Sequence, residues 1–123
     1  MTKLDLAYTA GIIDGEGYIQ IARLKGKSYK RGYTFRLLVE VSQAEPRLCE
    51  WLKFAFGGSV YNYNRLGKSI WRWMVIAQHA KAFLELIVPY LKLKRPQAEI
   101  AIAFQKAKVY LGGKGKCDEK VAV

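Results

Sequence analysis

The stretch Thr9-Ala10-Gly11-Ile12-Ile13-Asp14-Gly15-Glu16-Gly17 decides how the chain is read. Just upstream, Leu4, Ala7, Tyr8, Gly11 and Ile12 recur at helical spacing behind Thr2 and Asp5, a pair spaced as a capping box in its Asp form. A first helix over 3–14 is expected, with Gly15 and Gly17 bracketing its end. Ala7, Gly11 and Gly15 lie four apart on one ridge, so a partner helix could approach until the backbones nearly touch. Asp14 and Glu16 stand directly beyond that ridge. Carboxylates at a helix C-terminus face the negative end of its dipole, and a symmetric partner would add its own, so the arrangement calls for a compensating cation. A hard divalent ion such as Mg²⁺, held by carboxylate and carbonyl oxygen, would serve.

Working outward, residues 18–22 read as a strand entering a basic turn around 25–32, and 33–42 as the return strand. Alternation sets Phe35, Leu37, Val39 and Val41 on a dry face, and Thr34, Arg36, Leu38, Glu40 and Ser42 on an open one. The same order then recurs. Pro46 suits the first position of a helix running to about Phe56, where Gly57 and Gly58 stop it. Segments 60–64 and 69–77 then flank a Leu66-Gly67-Lys68 turn. In that hairpin Tyr61, Tyr63, Trp71 and Trp73 are expected to face the core, opposite Asn62, Asn64 and Arg72. Helices over 79–91 and 96–111 follow, and His79 reads as a surface or cap residue. The expected class is α+β, in the order αββαββαα: one domain over 1–111 and a polar tail over 112–123. Its four strands form an antiparallel, saddle-shaped sheet with helices on the apolar face.

Charge says what the open face meets. The chain has 123 residues with 21 Lys and Arg against 10 Asp and Glu, a net +11. No acid occurs over 17–39, which holds Arg23, Lys25, Lys27, Lys30, Arg31 and Arg36, or over 51–84, which holds Lys53, Arg65, Lys68, Arg72 and Lys81. Both windows contain a hairpin, so the excess charge and the open face coincide, and nucleic acid is the leading partner. A two-stranded ribbon fits the major groove of B-DNA. Gln20, Thr34, Arg36, Glu40, Ser42, Asn62, Asn64 and Arg72 would address base edges, and Arg23, Lys25, Lys27, Arg65 and Lys68 near the turns would neutralise phosphates. Cys49 and Cys117 form no disulfide framework, and with His79 as the sole histidine a structural zinc site has no ligand set. An intracellular setting is expected. No apolar run approaches the roughly 18 residues of a membrane span.

These residues resemble the motif of the LAGLIDADG homing endonucleases. Ala10, Gly11, Ile13, Asp14 and Gly17 match it, and Glu16 stands for its second acid. Thr9, Ile12, Gly15 and Glu16 depart from it, replacing Leu, Leu, Ala and Asp. The resemblance covers nearly the whole domain, and because the motif occurs once it implies a homodimer, with Ala7, Ala10, Gly11, Asp14 and Gly15 at the dimer interface. It implies that Glu16 binds the metal, Mg²⁺, with help from the Gly15 carbonyl. It also implies a double-strand break in a long, nearly palindromic DNA duplex. Val41-Ser42-Gln43 with Arg47, and Leu91-Lys92-Leu93-Lys94, resemble the active-site periphery of single-motif members. Gln43 would orient the attacking water, and Lys94 or Arg47 would stabilise charge growing on the phosphate. Two other uses of such a sheet stay open: a maturase that binds intron RNA, and a DNA-binding regulator that does not cut.

Overall fold

The computed structural model describes residues 1–112; residues 113–123, nearly all of the expected tail, lie outside the described residues. The chain runs α1 (Lys3–Glu16), β1 (Gly17–Lys25), β2 (Tyr33–Gln43), α2 (Arg47–Phe56), β3 (Ser59–Arg65), β4 (Lys68–Ile76), α3 (Ala77–Ile87), a short 3-10 turn (Val88–Tyr90) and α4 (Arg95–Gly112). This is the expected αββαββαα order, and the four strands form one antiparallel sheet in the order β1-β2-β4-β3.

The capping box forms as its spacing requires. The Thr2 hydroxyl accepts the Asp5 N–H at 3.0 Å, and the Asp5 carboxylate accepts the Thr2 N–H at 3.3 Å. At the other end α1 runs through Gly15 to Glu16, two residues beyond the expected stop. Gly17 closes it, its N–H donating back to the Ile12 and Ile13 carbonyls. Only glycine fits there, because a Cβ would lie 2.7 Å from the Ile13 Cα. α3 also departs from its expected span, starting at Ala77 and giving way to the 3-10 turn after Ile87. Pro89 has no N–H with which to continue an α-helix.

The core lies between the sheet and the helices, where Ile13, Leu37, Val39, Val41, Trp73 and Val75 meet Leu52, Phe83, Leu84 and Ile87. Phe83 packs edge-on against both Phe56 and Trp73, with ring centroids 4.9 and 5.0 Å apart, and the Trp73 indole N–H donates to the Gly57 carbonyl at 2.8 Å. His79 also holds this turn, its Nε2 lying 2.6 Å from the Phe56 carbonyl. It caps the end of α2.

Two expectations about faces are corrected. The β3–β4 turn has two residues, Leu66 and Gly67, both at positive φ, so Arg65 pairs with Lys68. A Leu66-Gly67-Lys68 turn would have set Tyr61 opposite Trp73; the shorter turn sets Tyr61 opposite Arg72, and Asn62 opposite Trp71. Tyr61 and Tyr63 therefore share the open face with Arg72, while Asn62 and Asn64 fall in phase with Trp71 and Trp73. The second correction concerns the far end of β2. Leu37, Val39 and Val41 are buried as expected, but Phe35 is exposed and Thr34 is buried. Beyond Leu38 strand β2 loses β4 as a neighbour, and Lys108 of α4 reaches the Thr34 hydroxyl and the Phe35 carbonyl. Burial at that end follows α4 instead of the strand alternation.

Candidate active site and nucleic-acid interface

The end of α1 is built by contacts from a segment some 80 residues away. The Asp14 carboxylate accepts the backbone N–H groups of Lys92, Leu93 and Lys94 at 2.8, 3.1 and 2.8 Å. These donors lie immediately before α4 begins at Arg95, so Asp14 holds the entry of one helix from the end of another. In return the Lys94 ammonium donates to the carbonyls of Ile13 and Asp14 at 2.9 and 2.8 Å. α1 has no basic residue in its last turn, and Lys94 supplies the cation its dipole favours. Partial burial pushes the Asp14 carboxyl up, but the three N–H donors and the Lys94 charge outweigh it and hold the group below its ordinary range.

With Asp14 engaged this way, Glu16 is the acid of the motif that remains exposed. Gln43, the last residue of β2, donates its side-chain amide to the Glu16 carboxylate and also to the Ser42 carbonyl. The structure thus brings Glu16 and Gln43 together and places Lys94 on the carbonyls immediately before Gly15. Arg47 stands apart, ion-paired with Glu45 at 2.7 Å on an exposed surface. The Glu16 carboxylate and the neighbouring Gly15 carbonyl are the oxygen donors that suit a hard divalent cation. Among the described residues no three His, Cys, Asp or Glu side chains gather as a ready-made cage.

Behind this end, the outward side of α1 is apolar and small. Leu4 is 82% exposed and Tyr8 59%, and Ala7, Gly11 and Gly15 are exposed along the same ridge. A Cβ added to Gly11 or Gly15 would meet nothing within 4 Å. A groove of about 480 Å³ runs between Ala7 and Gly11 on one side and Tyr90, Lys92 and Arg95 on the other. Asp14 lies half-buried at its edge, whereas Ala10 points inward and is fully buried in the chain's own core.

On the open face of the sheet, register brings Gln20 and Tyr18 of β1 beside Leu38 and Glu40 of β2, and Ser42 beside Arg72 of β4. Tyr61 and Tyr63 complete it from β3, two residues that sequence reasoning assigns to the core. Turn length is the signal that could have found them. Asn62 instead donates to the Ser69 hydroxyl at 2.7 Å and the Ile70 carbonyl at 3.3 Å, and Asn64 is exposed in the same phase. Arg65 and Lys68 flank the exposed turn. At the other hairpin Lys25 and Lys27 are exposed, and Arg23 stacks over the Tyr33 ring at 4.2 Å. Arg36 is half-buried and borders a cleft with Ser59, Tyr61 and His79. Thr34, buried beneath Lys108, joins Asn62 and Asn64 as an expected base contact that the open face does not present.

One small-residue helix ending in an exposed acid, joined to an open four-stranded sheet, defines a single-motif αββαββα domain. The chain belongs to the LAGLIDADG endonuclease family, whose model matches residues 9–111. Among solved structures, the homing endonuclease I-CvuI, crystallised with a DNA target in the presence of Mg with the DNA not cleaved, is similar at a TM-score of 0.74 and 24% identity. That match covers 85% of this chain and 67% of the other. The meganuclease I-SmaMI, bound to uncleavable DNA, gives a TM-score of 0.71 at 16% identity, over 89% of this chain but 38% of its own. An archaeal intron-encoded homing endonuclease, I-Vdi141I, complexed with DNA, gives 0.66 at 15% identity over 93% of this chain and 77% of its own. A comparison with curated protein sequences gives no match. No helix among the described residues is long and apolar enough to cross a membrane.

Proposed function

We propose that the protein is a homodimeric, divalent-metal-dependent endonuclease that makes a double-strand break in a long, nearly palindromic DNA target. The observation that carries this reading is the exposed Glu16 carboxylate at the end of α1, hydrogen-bonded by Gln43 at the end of the central strand β2. Glu16 and the Gly15 carbonyl would hold the ion, with water and the DNA phosphate completing its oxygen shell. When bound, Mg²⁺ supplies Lewis-acid stabilisation of charge on the scissile phosphate. Gln43 fixes the Glu16 carboxylate and orients water beside it. Lys94, committed to the Ile13 and Asp14 carbonyls, holds the acidic helix end in place, so its part in cleavage is that of a positioning residue. Arg47, exposed and paired with Glu45, would join the phosphate only once DNA displaces that acid.

The ridge supports the dimer. Two copies meeting along Ala7, Gly11 and Gly15 would bring both Glu16 carboxylates to one dyad, each serving one strand, with Asp14 at the edge of the contact. The saddle of two sheets would then track the duplex, Arg65, Lys68, Lys25, Lys27 and Arg23 lying near the backbone. The test is Mg²⁺-dependent cutting of the uninterrupted DNA locus into which the encoding element inserts, comparing native protein with Glu16→Gln. A defined double-strand cut by the native protein alone is expected; equal cutting by both removes Glu16 from the mechanism.

A further inference from the structure

We infer that Arg72 is the pre-organised reader of a guanine in each half of the DNA target, held for that task by Glu40, Ser42 and Tyr63. The inference rests on the DNA-binding reading above and adds to it one base identity and the device that enforces it. A long arginine side chain on a sheet ordinarily samples many rotamers, and fixing it costs rotamer entropy. Arg72 is already fixed. It lies midway across the open face, on β4, flanked by β2 and β3. Its Nε lies 3.3 Å from the Glu40 carboxylate and 3.4 Å from the Ser42 hydroxyl, and its Nη2 donates to the Tyr63 hydroxyl at 2.8 Å. The guanidinium also stands 5.0 Å from the centre of the Tyr63 ring.

The donors of Arg72 divide into those engaged and those left to offer. A guanidinium has five N–H groups. Nε and one hydrogen of Nη2 are engaged, while Nη1 and the second hydrogen of Nη2 have no partner among the described residues. Two adjacent donors held in one plane match the O6 and N7 acceptors of guanine, the one base edge that presents two acceptors side by side in the major groove. Adenine presents one acceptor and one donor there, and would leave an Arg72 donor facing a donor. Glu40, with its side chain 15% exposed, sets the orientation and also repels phosphate, which keeps this guanidinium on bases. Among the described residues, no other cation on this face is tied from two neighbouring strands at once: Arg65 and Lys68 sit on an exposed turn, and Arg36 borders a cleft with no hydrogen bond or ion pair. Arg72 is a specificity-determining residue, and Glu40 positions it.

The test is selection of duplexes from a randomised double-stranded oligonucleotide library by the full chain, in buffer without Mg²⁺, followed by sequencing. Native protein should enrich a two-fold symmetric site with a guanine at one fixed position per half. Arg72→Lys keeps the charge and loses the planar fork, so its preference for that guanine should fall by about 5- to 150-fold. Glu40→Gln should weaken the same position and no other. A native site in which every position survives Arg72→Lys unchanged overturns the inference while leaving the DNA-binding reading intact. Failure of the native protein to enrich any duplex overturns both. Circular dichroism of the variants separates a readout effect from unfolding: a folded Arg72→Lys with unchanged site preference counts against the inference. If Arg72→Lys unfolds, Glu40→Gln decides alone.

Discussion

Asp14 and Lys94 hold each other twice: the Asp14 carboxylate accepts the Lys94 backbone N–H at 2.8 Å, and the Lys94 ammonium donates to the Asp14 carbonyl at 2.8 Å. This exchange ties the acidic end of α1 to the start of α4. It also separates the two acids of the motif, one engaged by backbone N–H groups and one left exposed.

Replacing Asp14 by Asn keeps the shape but removes the charge and turns one of the two accepting oxygens into an NH₂ donor, so at least one of the three backbone N–H groups loses its acceptor. A loss of about 1 to 2 kcal/mol is expected after allowing for solvent around the half-buried group, read as a lower urea midpoint. Glu16→Gln, on an exposed side chain, should leave that midpoint within about 0.5 kcal/mol of native.

The Asp14 carboxyl is held below its ordinary value in the folded chain, which fixes the sign of a pH effect. Its contribution is fully present above the unfolded carboxyl range and is lost as pH falls through the lower folded value. In metal-free protein the stability gap between native and Asp14→Asn should therefore be constant near neutrality and close below about pH 4. A gap that widens with acid would contradict the assignment.

Gly11 and Gly15 have open space where a Cβ would go, so substitution leaves the chain's own packing alone and, in the proposed dimer, would act on the partner helix. Gly11→Leu should leave the circular dichroism spectrum native and convert a 28 kDa species to a 14 kDa one in light scattering, taking the dimer as about twice the chain's 14.0 kDa. Gly17→Ala should do the reverse, destabilising the fold itself by about 1 to 3 kcal/mol, because its Cβ would collide with the Ile13 backbone.

Salt dependence reports how many phosphates the protein neutralises. Replacing Arg65 or Lys68 by Ala in each subunit should weaken binding to all duplexes alike and flatten the log–log salt dependence by about 1 for each phosphate no longer neutralised. A base-selective change would place these residues in a groove instead.

The sequence disclosed the elements of this fold through local rules: the Thr2–Asp5 cap, the glycine stops at Gly17 and Gly57, and the alternation of Leu37, Val39 and Val41. What it hid depends on distance or on a single residue of register. Lys94 reads along the chain as one member of a basic run, and its partners Ile13 and Asp14 lie 81 and 80 positions away. Tyr61 and Tyr63 alternate with Asn62 and Asn64, and no local preference says which pair faces inward until the turn is known to have two residues. Strand phase puts Thr34 on the open face, whereas α4, through Lys108, decides its burial.

Leu66, 96% exposed and at φ +53, occupies a backbone state that β-turns usually give to glycine or asparagine. Nothing in the core depends on its side chain. The two-residue tip keeps Arg65 opposite Lys68 and so turns Tyr61 and Tyr63 outward; a slip of that pairing by one residue would exchange them for Asn62 and Asn64. The hairpin tip thus decides which chemistry β3 turns outward, on an element separate from the helix end that carries Glu16.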